Sequence, residues 1–158
     1  MGFRGVGFMM SRYHQPTIIP VPEKRKHMFL DDYSITVQGV KITVPGYFLF
    51  SASVPLVGWG ITYNPHDPVV NMPAGVHDWL AYNHQVSFDK TNDIFHELLI
   101  GNGANPIKAK TMYWAVQKFK FWWELKEEDI DYLKFLYQMV RKSPRFDEYH
   151  FPEIGMTA

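Results

Sequence analysis

The chain has 158 residues, a length that suits one compact domain, and its 46% hydrophobic and 20% charged residues are typical of a globular protein. Its formal net charge is zero, which argues against a protein whose main task is binding nucleic acid, because phosphate contacts need a surplus of basic charge. It contains no cysteine, which excludes disulfides, thiolate zinc sites and a cysteine nucleophile. No apolar run approaches the roughly 20 residues of a membrane span.

The first third of the chain predicts an irregular arm followed by a small sheet. Residues 1–26 combine glycine, proline and a basic run without a clear period. Residues 28–56 alternate and are rich in β-branched and aromatic side chains, which predicts antiparallel strands. The dipeptide Gln38-Gly39 predicts a hairpin turn between two of these strands.

Helical periodicity dominates the remainder of the chain. Three prolines predict a loop over residues 63–73, and helices are expected after it. The first helix is expected over about 74–82 and the second from a cap at Ser87 or Asp89 to about Ile100. The third is expected over about 106–125 and the fourth over about 127–142, followed by an extended tail over 143–158.

The predicted fold class is therefore α+β, with a small antiparallel sheet in the N-terminal third packed by three to four helices. The expected organisation is an irregular N-terminal arm over residues 1–26, an α+β domain over 27–125, and a C-terminal helix and extended tail over 126–158.

The stretch GVHDWLAYNH places His77 and Asp78 on a predicted helix. A neutral imidazole can accept a proton, and a carboxylate can orient it. Adjacent helix residues diverge, so Asp93 on the next helix is the better candidate to orient His77, and the three side chains could alternatively hold a divalent metal. The competing interpretation is structural, because His66-Asp67 repeats the dipeptide in a proline-flanked loop and a histidine on a helix flank usually makes one structural hydrogen bond.

Two other candidate centres are weaker. His77 and His84 are seven residues apart, whereas helical zinc pairs are three or four apart. Ser51 and Ser53 lack the GxSxG context of a serine nucleophile, so a turn of small residues is favoured there.

One face of the third predicted helix alternates lysine and aromatic residues, namely Lys110, Trp114, Lys118 and Phe121. Exposed rings between lysines are typical of a contact surface for protein, lipid headgroups or single-stranded nucleic acid. The alternative is a solvated face whose rings are covered by the fourth helix or the tail. The aromatic content of 16% favours an interface, although a core rich in aromatic residues would also account for it.

Four stretches in order resemble the DUF1353 family of phage and prophage proteins, which are small domains of unknown function. They are VPGYFLFSASVP, AGVHDWLAY, SFDKTNDIFHELL and AKTMYWAVQKF, and the resemblance covers roughly Thr36 to Trp123. It marks Ser53, Val54, Pro55, His77, Asp78 and Asp93 as matching positions.

The chain departs from the family pattern at three positions. The family's aspartate in its TDxASVP stretch falls on Phe50, its threonine falls on Leu49, and the tyrosine of its HDxLY stretch falls on Ala81. If that aspartate belongs to an active centre in the family, this copy is degenerate.

The resemblance implies a phage-encoded origin and leaves two functions open. The first is a virion-associated structural or adaptor protein, assembled in the host cytoplasm, which contacts other phage structural proteins or copies of itself and needs no cofactor. It predicts that residues 1–26 and 143–158 bury area against a neighbour. The second is a small hydrolase of the host envelope, with His77 as general base and Asp78 and Asp93 as orienting or metal-binding carboxylates. It predicts an open pocket lined by those three residues.

Overall fold

The chain has an α+β architecture, and in its described part small antiparallel sheets from the N-terminal third pack against four helices. The computed structural model describes residues 11–51, 67–118 and 120–153, without the side chains of residues 121 and 122. The strands of this described part are β1 (Ile18–Val21), β2 (Lys26–Phe29), β3 (Tyr33–Val37), β4 (Val40–Val44) and β5 (Leu49–Phe50). The helices are α1 (Pro68–Asn83), α2 (Phe88–Gly101), α3 (Pro106–Lys118) and α4 (Glu127–Val140).

The strands form a three-stranded sheet in the order β1-β2-β5 and a separate β3-β4 hairpin, all antiparallel. The predicted hairpin turn is confirmed, because Val37 pairs with Val40 across Gln38-Gly39. Gln38 and Gly39 have φ angles of 50° and 78°, the left-handed conformation that a two-residue hairpin turn requires and that glycine adopts without strain.

Helix α1 corrects the prediction of a proline loop over residues 63–73, because it already begins at Pro68. The Asp67 carboxylate accepts a hydrogen bond of 2.9 Å from the Val69 N–H, and proline is favoured in a first turn. Pro73 lies inside the helix and cannot donate to the carbonyl of Val69. The side-chain amide of Asn102 lies 3.5 Å from that oxygen, so a residue at the end of α2 takes the place of the missing backbone donor.

Two further boundaries differ from those predicted. The third helix was expected to reach about residue 125, but α3 ends at Lys118 and a short 3₁₀ helix follows over Lys120–Trp123. The arm was expected to be irregular to residue 26, but Ile18–Val21 forms strand β1 by pairing with β2. None of the helices in the described ranges combines the length and apolarity needed to cross a membrane.

Among the described residues, the buried side chains form two clusters. The larger lies between the sheets, α1, α2 and α4, and includes Phe29, Phe50 and Trp79. The smaller joins the start of α1 to α2 and α3. Close packing in the larger cluster explains Gly75, since a Cβ there would lie 2.5 Å from the Phe29 ring.

The described parts of the arm and the tail pack on the chain's own domain. The Arg12 N–H donates to the carbonyl of Gly101 at 2.9 Å, and the Tyr13 hydroxyl donates to Glu97 at 2.8 Å. In the tail, Phe151 meets the edge of Trp79 with ring centroids 5.6 Å apart. The surfaces that were expected to contact a neighbour are therefore occupied, in these places, by the same molecule.

Candidate functional site

His77 contacts an amide on α2 rather than a carboxylate. Its Nε2 lies 2.7 Å from Oδ1 of Asn92, whose Nδ2 donates to Oε1 of Gln117 at 2.5 Å. Since Asn92 Oδ1 can only accept, the proton of neutral His77 is on Nε2, and Nδ1 carries the lone pair. Asn92 therefore has the orienting position that the sequence assigned to Asp93.

A series of hydrogen-bonded polar side chains, here called the polar chain, crosses three helices and connects His77 with Asp93. Asp93 therefore interacts with His77 only through intermediate side chains. Nε2 of Gln117 donates to the Tyr113 hydroxyl at 3.2 Å, and that hydroxyl donates to Oδ1 of Asp93 at 3.1 Å. Asp93 is exposed at the outer end of this chain, whereas His77 is partly buried at the inner end. The chain fixes the relative positions of α1, α2 and α3 and connects His77 with the surface.

Burial lowers the pKa of His77, and the hydrogen bond with Asn92 opposes this only in part. The ring also packs on Phe95, with ring centroids 4.8 Å apart. His77 is therefore neutral near pH 7, which suits both a structural hydrogen bond and a general base that acts through Nδ1.

Asp78 belongs to a second polar cluster on another side of α1. The backbone N–H of Ser51 donates to its carboxylate, Lys26 attracts it, and Asp129 at the start of α4 repels it. Burial is the strongest of these influences and raises the pKa of Asp78 to about 7. His77 and Asp78 thus serve different networks, so this dipeptide is not a catalytic dyad.

Two tyrosines complete the cluster around Asp78. Tyr82 donates a hydrogen bond to Asp129, and the hydroxyl of Tyr132 accepts the Leu49 N–H at 2.8 Å. Burial raises the pKa of both phenols, that of Tyr132 to about 12, and the charge of Asp78 adds to the effect. We call Asp78, Tyr82, Asp129 and Tyr132 the Asp78 cluster. With a pKa of about 7, Asp78 can gain or lose a proton near neutral pH, whereas the two phenols stay protonated there.

The other candidate residues either make structural contacts or lie outside the described part of the chain. His84 ends α1 in a left-handed conformation, stacks on Trp123 at 4.0 Å between ring centroids and bonds the Trp123 carbonyl at 2.9 Å. Ser53 and His66 lie outside the described residues, as do Val54 and Pro55. In the described part of the chain, no group of three or more histidine, aspartate and glutamate side chains could hold a metal ion.

The lysine and aromatic side of α3 is exposed in its described part. Lys110, Trp114 and Lys118 are exposed, and the side chain of Phe121 lies outside the described part. The sequence did not indicate Ile107, which is 74% exposed and lies two helical turns before Trp114 on the same side of α3. We call Ile107, Lys110, Trp114 and Lys118 the α3 face.

A surface pocket of about 320 Å³ adjoins this face. Asp93, His96, Lys110 and Tyr113 are among its lining residues. Burial and the nearby Lys110 ammonium lower the pKa of His96. Lys110 also lies over the rings of Tyr113 and Trp114, at 5.1 and 5.9 Å from their centroids, so the polar chain from His77 ends beside the α3 face.

One family model, of unknown function, matches more than half of the chain. The family model described as "Protein of unknown function (DUF1353)" matches residues 28–116. The chain is 29% identical over 97 residues to the uncharacterized protein y4jT of Sinorhizobium fredii (strain NBRC 101917 / NGR234), a match of 61% of this chain and 29% of that relative. The chain thus spans less than a third of that relative's length. No solved structure matches the chain.

Proposed function

The chain belongs to the DUF1353 family of proteins of unknown function, and we propose that it is a structural or adaptor component of a phage particle that works through protein–protein contacts. The observation that carries the proposal is the α3 face. Ile107 and Trp114 are 74% and 55% exposed on the same side of one helix. Large apolar side chains grouped on a surface are typical of an interaction site, and tryptophan is enriched at binding hot spots.

A protein partner fits this face better than a nucleic acid or a lipid surface. Lys110 and Lys118 supply two positive charges beside the apolar side chains, while the whole chain has no surplus of basic charge. Binding to phosphate groups would draw on a broader basic patch, whereas a protein interface combines an apolar centre with a few charges. The sequence resemblance supports the phage setting.

The test is the composition of purified particles. Particles from a host that carries the gene are purified on a density gradient and analysed by quantitative mass spectrometry. We expect the chain to sediment with the particles at a constant ratio to the other particle proteins. A chain found only in the soluble lysate would contradict the proposal.

A second function, a small hydrolase of the host envelope, is favoured by a different observation. His77 is a neutral imidazole with a defined tautomer, and Asp78 has its pKa raised to about 7. Perturbed pKa values of this kind cluster at catalytic sites. In this proposal Nδ1 of His77 is the general base, and Asn92 orients the ring. Asp78, in the separate Asp78 cluster, is a second group that can exchange a proton near neutral pH.

The variant His77→Ala distinguishes a catalytic from a structural role. If the chain is a hydrolase, it clears suspensions of bacterial envelope, and His77→Ala abolishes the clearing while the melting temperature stays within a few degrees. If the variant instead unfolds many degrees lower, or if the unmodified chain clears nothing, His77 is a structural hydrogen-bonding residue.

A further inference from the structure

Helix α4 carries an exposed face with the same spacing as the α3 face. Its residues follow at intervals of three, four and four, as those of the α3 face do, and lie within an arc of about 80° of the helix. Phe135 is 58% exposed and Met139 is 44% exposed. We call this set the α4 face: Glu128, Asp131, Phe135 and Met139, all exposed.

The two faces carry opposite charges. The α3 face has Lys110 and Lys118 and no acidic residue, whereas the α4 face has Glu128 and Asp131 and no basic residue. Each face also presents one large aromatic side chain, Trp114 on α3 and Phe135 on α4. Although its net charge is zero, the chain presents one basic and one acidic surface, and the two complement each other.

The two faces do not cover each other within one molecule, because both are exposed. The buried sides of the two helices belong to different clusters, with Met112 of α3 in the smaller and Leu133 and Leu136 of α4 in the larger. Contact between the two faces therefore requires a second molecule.

We propose that the α3 face of one copy of this chain binds the α4 face of a second copy. The proposal rests on the proposed function, since it assigns a partner to the same α3 face. Trp114 and Phe135 supply the apolar contact, and the lysines of one copy pair with the acidic residues of the other. Because the contact joins two different surfaces, it either closes on itself or continues as an open chain of copies.

The first experiment is sedimentation velocity of the full chain over a range of protein and salt concentrations. We expect the weight-average mass to rise above the monomer with protein concentration and to fall back as salt increases, because charge attraction between exposed groups is screened. A mass that stays at the monomer over the whole range would overturn the proposal.

Charge reversal then tests which surfaces meet. Lys110→Glu with Lys118→Glu makes both faces acidic, and Glu128→Lys with Asp131→Lys makes both basic, so each variant alone should weaken self-association by about tenfold or more. An equimolar mixture of the two variants should associate again, because each acidic face meets a basic one. The control Lys134→Glu changes an exposed charge of α4 outside this face and should associate as the unmodified chain does.

Reversed charges in the first turns of α4 oppose the helix dipole and could reduce folding. Phe135→Lys removes the aromatic contact beyond those turns and should also weaken association, with circular dichroism confirming the fold. Variants that associate as strongly as the unmodified chain would overturn the proposal. Monomers found in purified particles would refute self-association alone, whereas a self-associating chain absent from particles would refute the proposed function alone.

Discussion

At the scale of single residues, His77 and Asp78 show that neighbours in sequence can belong to unrelated networks. Side chains on consecutive helix positions diverge by about 100°, and here His77 faces Asn92 on α2 while Asp78 lies near Ser51 and Asp129. A His-Asp dipeptide on a helix therefore carries little evidence of a catalytic pair.

The raised pKa of Asp78 makes stability depend on pH. Its ordinary pKa of 3.8 becomes about 7 in the folded chain, so folding favours the protonated carboxyl. Well below pH 3.8, Asp78 is protonated in both the folded and the unfolded chain. Above about pH 7 its carboxylate is charged in both, so the folded chain carries the cost of a buried charge. The contribution of Asp78 to stability therefore becomes less favourable as the pH rises between these two values.

Asp78→Asn should remove this dependence. We expect the variant to exceed the unmodified chain in free energy of unfolding at about pH 8, by a few kcal/mol, and to approach it at about pH 4. Denaturant unfolding at both pH values measures the difference, and Asp147→Asn, at an exposed position, is the control. A difference that does not change with pH would show that Asp78 titrates normally.

Asn92→Asp tests whether Asn92 is the direct neighbour of His77. A carboxylate 2.7 Å from Nε2 should raise the pKa of His77 above its value in the unmodified chain, by favouring the imidazolium. NMR titration of the histidine ring measures this pKa. Asp93→Asn should leave it nearly unchanged, because Asp93 is reached only through Tyr113, Gln117 and Asn92. A larger response to Asp93→Asn than to Asn92→Asp would contradict the described geometry.

The sequence identified the site's helices but not its contacts. It placed a polar partner of His77 on the second helix and chose Asp93, because a carboxylate is the usual partner of a catalytic histidine. The neighbouring Asn92 points about 100° away from Asp93, and a pattern of residue types cannot resolve one step of helix rotation. Gln117 and Tyr132 were missed because their contacts join elements far apart in the chain.

At the scale of elements, local signals predicted the hairpin and the helices, and long-range contacts explain the differences. Gln38-Gly39 specifies its turn through the backbone conformation of two residues. Helix α1 begins at Pro68 after the local cap at Asp67, and its passage through Pro73 is supported by Asn102, whose side-chain amide lies 3.5 Å from the carbonyl that Pro73 leaves without a donor. No local pattern reveals that contact.

The arm is held on α2 by a close approach that Gly101→Ala should break. A Cβ at position 101 would lie 2.4 Å from the Tyr13 ring, so the ring must move away. We expect the variant to be cleaved faster by trypsin at Arg12, with the site of cutting identified by mass spectrometry. Tyr13→Phe keeps the ring and loses only the bond to Glu97, so it should be cleaved less rapidly than Gly101→Ala. Equal rates for Gly101→Ala and the unmodified chain would contradict this account of the arm.

At the scale of the whole molecule, the aromatic content serves both the core and the surface. Phe29, Phe48 and Trp79 are fully buried, whereas Trp114 and Phe135 are more than half exposed. The interpretation as a core rich in aromatic residues is therefore confirmed, and the interface stays a prediction that the exposed rings allow. The α+β class followed from the order of strand and helix patterns, but the separation of charge between α3 and α4 became visible only when exposure was known.

The family match covers residues 28–116, which includes the polar chain except Gln117 and the α3 face except Lys118, while α4 lies beyond it. If the chain works through the α3 face, removing the Trp114 ring should reduce assembly, whereas removing an exposed ring elsewhere should not. Tyr47, which is 56% exposed, offers a matched control for Trp114.

The most direct test of the account is the amount of each variant found in purified particles. Trp114→Ala and Tyr47→Ala each remove one exposed aromatic ring and should leave the melting temperature nearly unchanged. We expect particles to contain several-fold less of the Trp114→Ala chain and a normal amount of the Tyr47→Ala chain. Equal amounts of both variants would contradict the claim that the protein acts through the α3 face.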